Sequence, residues 1–343
     1  MIFLHCGWPK TGTTSLQSAL VRNQGRLAAA GAVYPERWRR SNGDHWFEGM
    51  LEAYRQSSDP GPELKRFLGA MDGESIILSS ENLTVWTLGQ RKPDAFMRFI
   101  ADLGKVTPVR CVWTLRRADE MAHSLYRQMS FEGANRFPPD FLDRLDLREV
   151  FENMRKIEAA VNGDVIYLRY EPDGRHNANL LRACDLSEEI VGAIERELDD
   201  DPRLNPSVTQ KGLASVLGIE QISARAGVTL ELKALRRAIR EGFEFDNDSA
   251  CTIAGSKSRR ALHERTLDAA RALGFDPYVR FFGDETVSDA AQPVSLDPAI
   301  LTEADIAKLI AYLHSTQSAE HHVSVPSVRS YPKSRMADAT GSR

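Results

Sequence analysis

The chain has 343 residues, of which 42% are hydrophobic and 27% are charged, proportions typical of a soluble globular protein and not of a disordered, collagen-like or membrane-spanning chain. Its 44 basic and 48 acidic residues give a formal net charge of −4, so we expect no nucleic-acid partner, and any anion site must be local. The four cysteines lie far apart without C-x-x-C pairing, which favours free thiols in the cytoplasm over a disulfide or zinc framework. The N-terminus has no signal-peptide pattern, and no stretch reaches the roughly 18 apolar residues of a membrane helix.

Short apolar runs that alternate with helical patterns predict an α/β fold. The runs that predict strands lie at residues 2–6, 75–80, 109–115 and 164–168, and a shorter run at 32–34 is either a strand or a turn. Apolar spacings of three and four residues predict helices at 14–30, 94–103, 118–131 and 147–161. We therefore expect a P-loop-like parallel sheet flanked by helices.

The pattern changes after Tyr170, where only helices are predicted. They lie at residues 186–198, 208–226, 230–243 and 259–273. We interpret 1–314 as one domain, with a nucleotide-binding core at 1–170 and a helical extension at 171–314. The polar, Ser-rich segment 315–343 is expected to be a disordered tail.

The loop after the first predicted strand has the composition of a phosphate-binding turn. It reads Gly7-Trp8-Pro9-Lys10-Thr11-Gly12-Thr13-Thr14 and lies between a strand and an amphipathic helix, where backbone amides and the helix dipole favour an anion. A Walker loop has a lysine directly after its second glycine. Here Thr13 stands at that position and Lys10 lies inside the loop, which argues against a nucleoside triphosphatase.

The motif P-K-T-G-T-T between a strand and a helix resembles the 5′-phosphosulfate loop of sulfotransferases that use 3′-phosphoadenosine 5′-phosphosulfate (PAPS), and the wider run from residue 2 to 35 is similar to bacterial members of that superfamily. The resemblance implies that Lys10 contacts the oxygen bridging phosphate and sulfate. It also implies that Thr11, Gly12, Thr13 and Thr14 surround the 5′-phosphate.

A second strand-to-helix junction supports the same resemblance. In these sulfotransferases an arginine at a strand end and a serine eight positions later hold the 3′-phosphate, and Arg116 and Ser124 have that separation. A guanidinium can bind phosphate in a fork, and a hydroxyl two helical turns further can reach the same group. Arg117 is one position off and is expected to point elsewhere.

Transfer to a hydroxyl requires a general base near Lys10. Glu81 follows the predicted strand at 75–80 and should emerge at the carboxyl edge of the sheet, where α/β folds bind ligands. Its place resembles that of the catalytic glutamate of glycosaminoglycan sulfotransferases, which implies a carbohydrate or glycolipid acceptor. His45 is the second candidate base, because other branches of the superfamily use a histidine. His5, within the first strand, is interpreted as a packed core residue.

The sequence thus favours a cytoplasmic, PAPS-dependent sulfotransferase with no metal, since no metal-ligand spacing occurs in it. Two alternatives stay open: a P-loop kinase of a small molecule, which needs magnesium, and a nucleotide-binding protein without turnover. The acceptor and the oligomeric state are not determined by the sequence.

Overall fold

The computed structural model describes most of the chain. The described residues are 1–36, 39–40, 43–45, 48–56, 61–69, 75–80, 93–131, 141–162, 164–200, 211–216, 218, 236, 256–287 and 302–320. The chain divides into two compact units, Met1–Leu301 and Thr302–Arg343. In the second unit the described part is one helix, which runs from Glu303 to Glu320.

Five parallel strands form a single sheet in the first unit. They are β1 (Ile2–Gly7), β2 (Ala32–Val33), β3 (Ser75–Ser79), β4 (Val109–Leu115) and β5 (Val165–Arg169), in the spatial order β2-β3-β1-β4-β5. Strand β1 lies in the middle of the sheet, with β3 and then β2 on one side and β4 and then β5 on the other. The direction in which the chain adds strands therefore reverses between β1 and β4. Open α/β sheets bind ligands at the carboxyl ends of the strands at such a reversal.

Helices flank the sheet on both faces. Those described in the first unit are α1 (Thr13–Arg22), α2 (Gln24–Ala29), α3 (Glu48–Gln56), α4 (Gly61–Leu68), α5 (Pro93–Val106), α6 (Ala118–Phe131), α7 (Phe141–Arg144), α8 (Arg148–Ala160), α9 (Arg175–Ala183), α10 (Glu188–Asp200), α11 (Ser256–Ala272) and α12 (Asp276–Phe282), with a further helical segment at 211–216. The helix of the second unit is α13 (Glu303–Glu320).

Alternation along the strands divides the apolar residues into two cores. Ile2 and Leu4 of β1 join one core together with residues of α3 to α8, α11 and α12, whereas Phe3 joins a second core with residues of α1, α2, α9 and α10. Since successive side chains of a strand point to opposite faces, β1 is covered on both sides. The helix after β1 therefore lies on one face and the helix after β4 on the other, the arrangement in which open α/β sheets bind ligands between the helix N-termini.

The α/β prediction is confirmed, and the short run at 32–34 does form a strand, Ala32–Val33. The single helix expected at 14–30 is instead two helices separated at Asn23, whose side-chain amide donates to the Ala19 carbonyl at 2.9 Å. Residues 315–320, expected in the tail, are helical. Most of the helices expected at 208–226 and 230–243 lie outside the described residues.

Candidate anion-binding site

The loop between β1 and α1 has a backbone shaped for an anion. Lys10 and Gly12 have positive φ angles of 67° and 72°, while Thr11 between them does not. Left-handed residues in a tight turn can turn neighbouring amides to one side, an arrangement that recurs in anion-binding loops. A left-handed lysine costs about 1 kcal/mol, so the surrounding structure must hold it.

Close packing fixes both ends of this loop. A side chain at Gly7 would meet Thr13 Cγ2 at 2.7 Å and Thr11 Oγ1 at 2.9 Å, so the end of β1 tolerates no Cβ. The Trp8 amide donates to the Thr114 carbonyl at 3.1 Å, and the buried Trp8 ring stacks on Tyr278 with centroids 5.8 Å apart. The loop is thus anchored to β4 and to α12.

Among the described residues, the start of α1 has hydrogen-bond donors without a protein acceptor. Gly12 is the N-cap, no side chain caps the helix, and its first turn has no acidic residue. The Thr13 hydroxyl is buried and has no hydrogen-bond partner among the described residues. A buried polar group without a partner is costly unless a ligand satisfies it, so Thr13 points to a bound anion.

The Thr11 hydroxyl has a different role, because it donates to the Trp8 carbonyl at 2.7 Å and closes the loop on itself. Thr11 can therefore contribute its amide, but not its hydroxyl, to an anion in this arrangement. The sequence motif does not distinguish Thr11 from Thr13, whereas the structure shows that only the Thr11 hydroxyl has a hydrogen-bond partner among the described residues.

The structure brings Arg116 to the loop, although the two are 106 residues apart. Its Nη1 donates to the Lys10 carbonyl at 2.5 Å, and its guanidinium lies over the Tyr170 ring at 4.5 Å. Its buried Nε has no hydrogen-bond partner among the described residues and lies 3.7 Å from Glu120 Oε2. One edge of this guanidinium thus supports the loop, and Nε retains capacity for an oxygen ligand.

Arg117 points away from the loop, as expected. It pairs with the fully buried Asp119 at 2.6 Å and with Glu285 at 3.2 Å, while Arg259 of α11 pairs with Asp119 at 2.7 Å. This buried network joins α6 to the helical extension and has a structural role.

Ser124 is nearly buried on α6, one turn beyond Glu120, whose carboxylate faces Arg116. Residues four apart share a helix face, so Ser124 extends the line from Arg116 along α6. Burial and the positive charges of Arg127, Arg259 and Arg116 lower the pKa of the adjacent His123 to about 4, while Asp119 opposes this shift. Cations and carboxylates therefore both lie near this part of α6.

His45 lies beside the carboxyl end of β3. The Ser79 amide donates to His45 Nδ1 at 3.1 Å, so the ring carries its hydrogen on Nε2, which donates to the Pro35 carbonyl at 3.0 Å. Burial lowers the pKa of His45 to about 4 and keeps it neutral. Both ring nitrogens thus serve the packing of this edge. Glu81, two residues beyond Ser79, lies outside the described residues.

His5 is buried, as interpreted, and its Nδ1 lies 2.9 Å from the Ser79 hydroxyl, which also accepts from Gln17 Nε2 at 3.0 Å. Burial and the nearby His176 lower the pKa of His5 to about 3. The imidazole beneath the loop is therefore uncharged at neutral pH.

Sequence reasoning missed two residues that contact this site. Tyr170 directly follows β5 and lies against both Arg116 and His176. The buried His176 of α9 places Nε2 at 3.0 Å from the Thr11 carbonyl. Their position after the carboxyl end of β5 was the available signal, since parallel strands bring those ends to one edge.

The described residues contain no group of three or more His, Cys, Asp or Glu side chains arranged to hold a metal ion. Cys6, Cys111 and Cys184 are free, buried thiols, and Cys251 lies outside the described residues. None of the described helices combines the length and the apolar character needed to cross a membrane.

Comparisons with known proteins found no match in sequence and a distant likeness in structure. No protein-family model matches the chain, and no curated protein matches its sequence. Among solved structures, it aligns with the crystal structure of retinol dehydratase in complex with androsterone and inactive cofactor PAP, at 14% identity and a TM-score of 0.36, over 79% of this chain and 80% of that chain. A likeness this distant supports no conclusion about function, so the functional proposal rests on the residues of the site.

Proposed function

We propose that this protein is a PAPS-dependent sulfotransferase, which moves the sulfuryl group of PAPS to an acceptor hydroxyl. The observation that carries the proposal is the start of α1. There an N-terminus without a side-chain cap and a buried Thr13 hydroxyl with no hydrogen-bond partner among the described residues follow directly on the loop that contains Lys10. These features fit a phosphate group that carries a transferable sulfuryl group and becomes the leaving group.

The residues present fit both ends of the nucleotide. The amides of Thr11 and Gly12 and the hydroxyls of Thr13 and Thr14 would hold the 5′-phosphate. Arg116 and Ser124 would hold the 3′-phosphate, an assignment supported by the buried Nε of Arg116, which faces Glu120 at 3.7 Å and has no hydrogen-bond partner among the described residues, and by the place of the buried Ser124 two turns further along the chain. No metal is needed, because Lys10, Arg116 and the loop amides supply the positive charge.

When bound, PAPS supplies the sulfuryl group and leaves as 3′-phosphoadenosine 5′-phosphate (PAP). Lys10 would place its charge against the phosphate oxygen as its bond to sulfur breaks. A base would take the proton of the acceptor hydroxyl as that oxygen bonds to sulfur.

We assign the base to Glu81, with His45 as the alternative. Glu81 comes two residues after Ser79, and the Ser80 amide already donates to the His5 carbonyl of β1 at 3.0 Å, so this strand end adjoins the loop strand. His45 would first have to release its bonds to Ser79 and Pro35. The glutamate also supports a carbohydrate or glycolipid acceptor, by the resemblance described above. The free thiols favour the cytoplasm as the compartment.

Calorimetry with PAP, compared with ATP plus magnesium, tests the donor. We expect PAP to bind in the micromolar range or tighter and without magnesium, because its 3′-phosphate engages Arg116. Binding of ATP with no response to PAP would instead support a small-molecule kinase.

Turnover is tested by transfer of radiolabelled sulfate from PAPS into a panel of glycans and glycolipids. We expect at least one acceptor to be labelled by the natural protein and not by the Glu81→Gln variant. Equal inactivity of both proteins across a broad panel, with PAP still bound, would favour a nucleotide-binding protein without turnover.

A further inference from the structure

Two consecutive carbonyl groups of the loop are bound by side chains from distant parts of the chain. Arg116 donates to the Lys10 carbonyl at 2.5 Å, and His176 Nε2 lies 3.0 Å from the Thr11 carbonyl. A carbonyl oxygen can only accept, so a bond to Thr11 requires the hydrogen of the ring on Nε2. Nδ1 lies 2.9 Å from the Glu171 carbonyl and 3.3 Å from the Glu171 amide, so the neutral ring can donate to only one of the two carbonyls it faces. We assign its hydrogen to Nε2, with Nδ1 accepting from the Glu171 amide.

These two bonds determine where the loop amides point. In a trans peptide the C=O and N–H groups face opposite ways. With the Lys10 and Thr11 carbonyls turned to Arg116 and His176, the N–H groups of Thr11 and Gly12 face away from both side chains. Free carbonyls on the anion side would repel phosphate, so this orientation matters for binding.

The His176 ring also packs against the loop. A Cβ at Gly12 would lie 3.6 Å from Nε2, and the ring contacts Tyr170, with centroids 4.8 Å apart. Tyr170 in turn lies under the Arg116 guanidinium. Arg116, Tyr170 and His176 thus form one continuous stack along the outer side of the loop.

We propose that His176 is a positioning residue for nucleotide binding: its Nε2–H holds the Thr11 carbonyl outward and so presents the loop amides to the 5′-phosphate. The inference rests on the proposed function only for the identity of the nucleotide. The residue acts through the loop and need not touch the nucleotide.

A matched pair of variants tests this role. In glutamine, Nε2 is as many bonds from Cα as His176 Nε2, whereas the asparagine amide stops at the place of Nδ1. His176→Gln therefore keeps a donor for Thr11, and His176→Asn does not. We expect the dissociation constant for PAP, measured by calorimetry, to stay within about threefold of wild type for His176→Gln and to rise about tenfold for His176→Asn, as loss of one hydrogen bond predicts.

Thermal unfolding separates positioning from packing. His263, equally buried on α11 with Nε2 at 3.2 Å from the Glu285 carbonyl, provides the control variant His263→Asn. That variant should lower Tm without changing PAP binding in the folded protein. If His176→Gln and His176→Asn lose Tm and PAP affinity equally, the residue is structural and the inference is wrong.

The test also distinguishes this inference from the proposed function. If the natural protein binds ATP and not PAP, the sulfotransferase proposal fails, and the same Gln and Asn variants are compared with ATP. If it binds neither nucleotide, both proposals are overturned.

Discussion

Two strand-to-helix junctions, β1 to α1 and β4 to α6, lie side by side at the carboxyl edge of the sheet. They differ in the side chains and hydrogen bonds at the start of the helix. The first turn of α1 has no acidic residue and no side-chain cap, and its Thr13 hydroxyl has no partner among the described residues. The first turn of α6 contains Asp119 and Glu120, and its Ala118 amide donates to the Tyr278 hydroxyl at 2.9 Å.

The difference indicates which helix N-terminus is open to an anion. Carboxylates already lie at the positive end of α6, where Asp119 pairs with Arg117 and Arg259, although α6 also carries Ser124, the proposed ligand of the 3′-phosphate. The positive end of α1 is left unsatisfied, at some cost in stability, which is typical of a binding site. Arg116 and Arg117 are neighbours in the chain, yet Arg116 belongs to the first junction and Arg117 to the second.

The largest expected effect is that of Lys10→Ala on catalysis. Loss of a charge that stabilises the transition state should lower turnover by about two to three orders of magnitude. Alanine retains the Cβ at the same φ, so Tm should change little. Radiolabelled sulfate transfer measures the effect, with Lys105→Ala, an exposed lysine at the end of α5, as the control. Unchanged turnover in Lys10→Ala would show that the α1 junction takes no part in the reaction.

Arg116→Ala and Arg117→Ala should differ in kind. The first should raise the PAP dissociation constant at least tenfold, because a forked contact to phosphate is lost, roughly 1.4 kcal/mol or more. Arg117→Ala should lower the free energy of unfolding by about 3 kcal/mol, because it removes one partner of the buried Asp119 carboxylate. Arg259 still pairs with Asp119 and limits the loss. Calorimetry and urea denaturation measure the two. If Arg116→Ala and Arg117→Ala weakened PAP binding equally, the proposed difference between the two junctions would be wrong.

The two loop threonines provide a finer test. Thr13→Val should weaken PAP binding about tenfold at unchanged or slightly raised stability, because its buried hydroxyl has no hydrogen-bond partner in the described part of the chain. Thr11→Val is the matched control and should cost about 1 kcal/mol of stability, because its hydroxyl bonds to the Trp8 carbonyl. A stability loss in Thr13→Val of the same size would mean that its hydroxyl is satisfied within the protein.

The smallest effect concerns His45, which the geometry groups with the structural residues. Its pKa is lowered by burial from 6.5 to about 4, so on acidification the unfolded chain takes up a proton before the folded protein does. Stability from this residue is complete above pH 6.5 and falls between pH 6.5 and about 4, by at most about 1.4 kcal/mol per pH unit.

Urea unfolding at pH 7, 6 and 5 should therefore show a shallower loss for His45→Asn than for wild type. The folded variant should also retain sulfate transfer if Glu81 is the base. Loss of transfer with an unchanged pH slope would instead identify His45 as the base.

Much of this arrangement could be predicted because it depends on local patterns. The apolar runs predicted the four main strands, and the α/β pattern then placed the loop at residues 7–14 and Arg116 at the same edge of the sheet. The residues beyond these motifs could not be found in that way. Nothing near His176 in the sequence indicates a contact with Thr11, which lies 165 residues earlier.

The sequence by itself determined the parallel sheet and predicted the candidate anion loop and an arginine at the same edge of the sheet, because strand periodicity and loop composition are local properties. Only the tertiary structure decided which of two similar threonines is left without a partner, which of two adjacent arginines faces the loop, and that His45 is held by Ser79 and Pro35. The bonds of Arg116 to Lys10 and of Ser79 to His45 join residues 106 and 34 positions apart, and such partners exist only after the strands have been brought together. The bond of Thr11 to Trp8 spans three positions, but it requires the turn that the folded loop adopts.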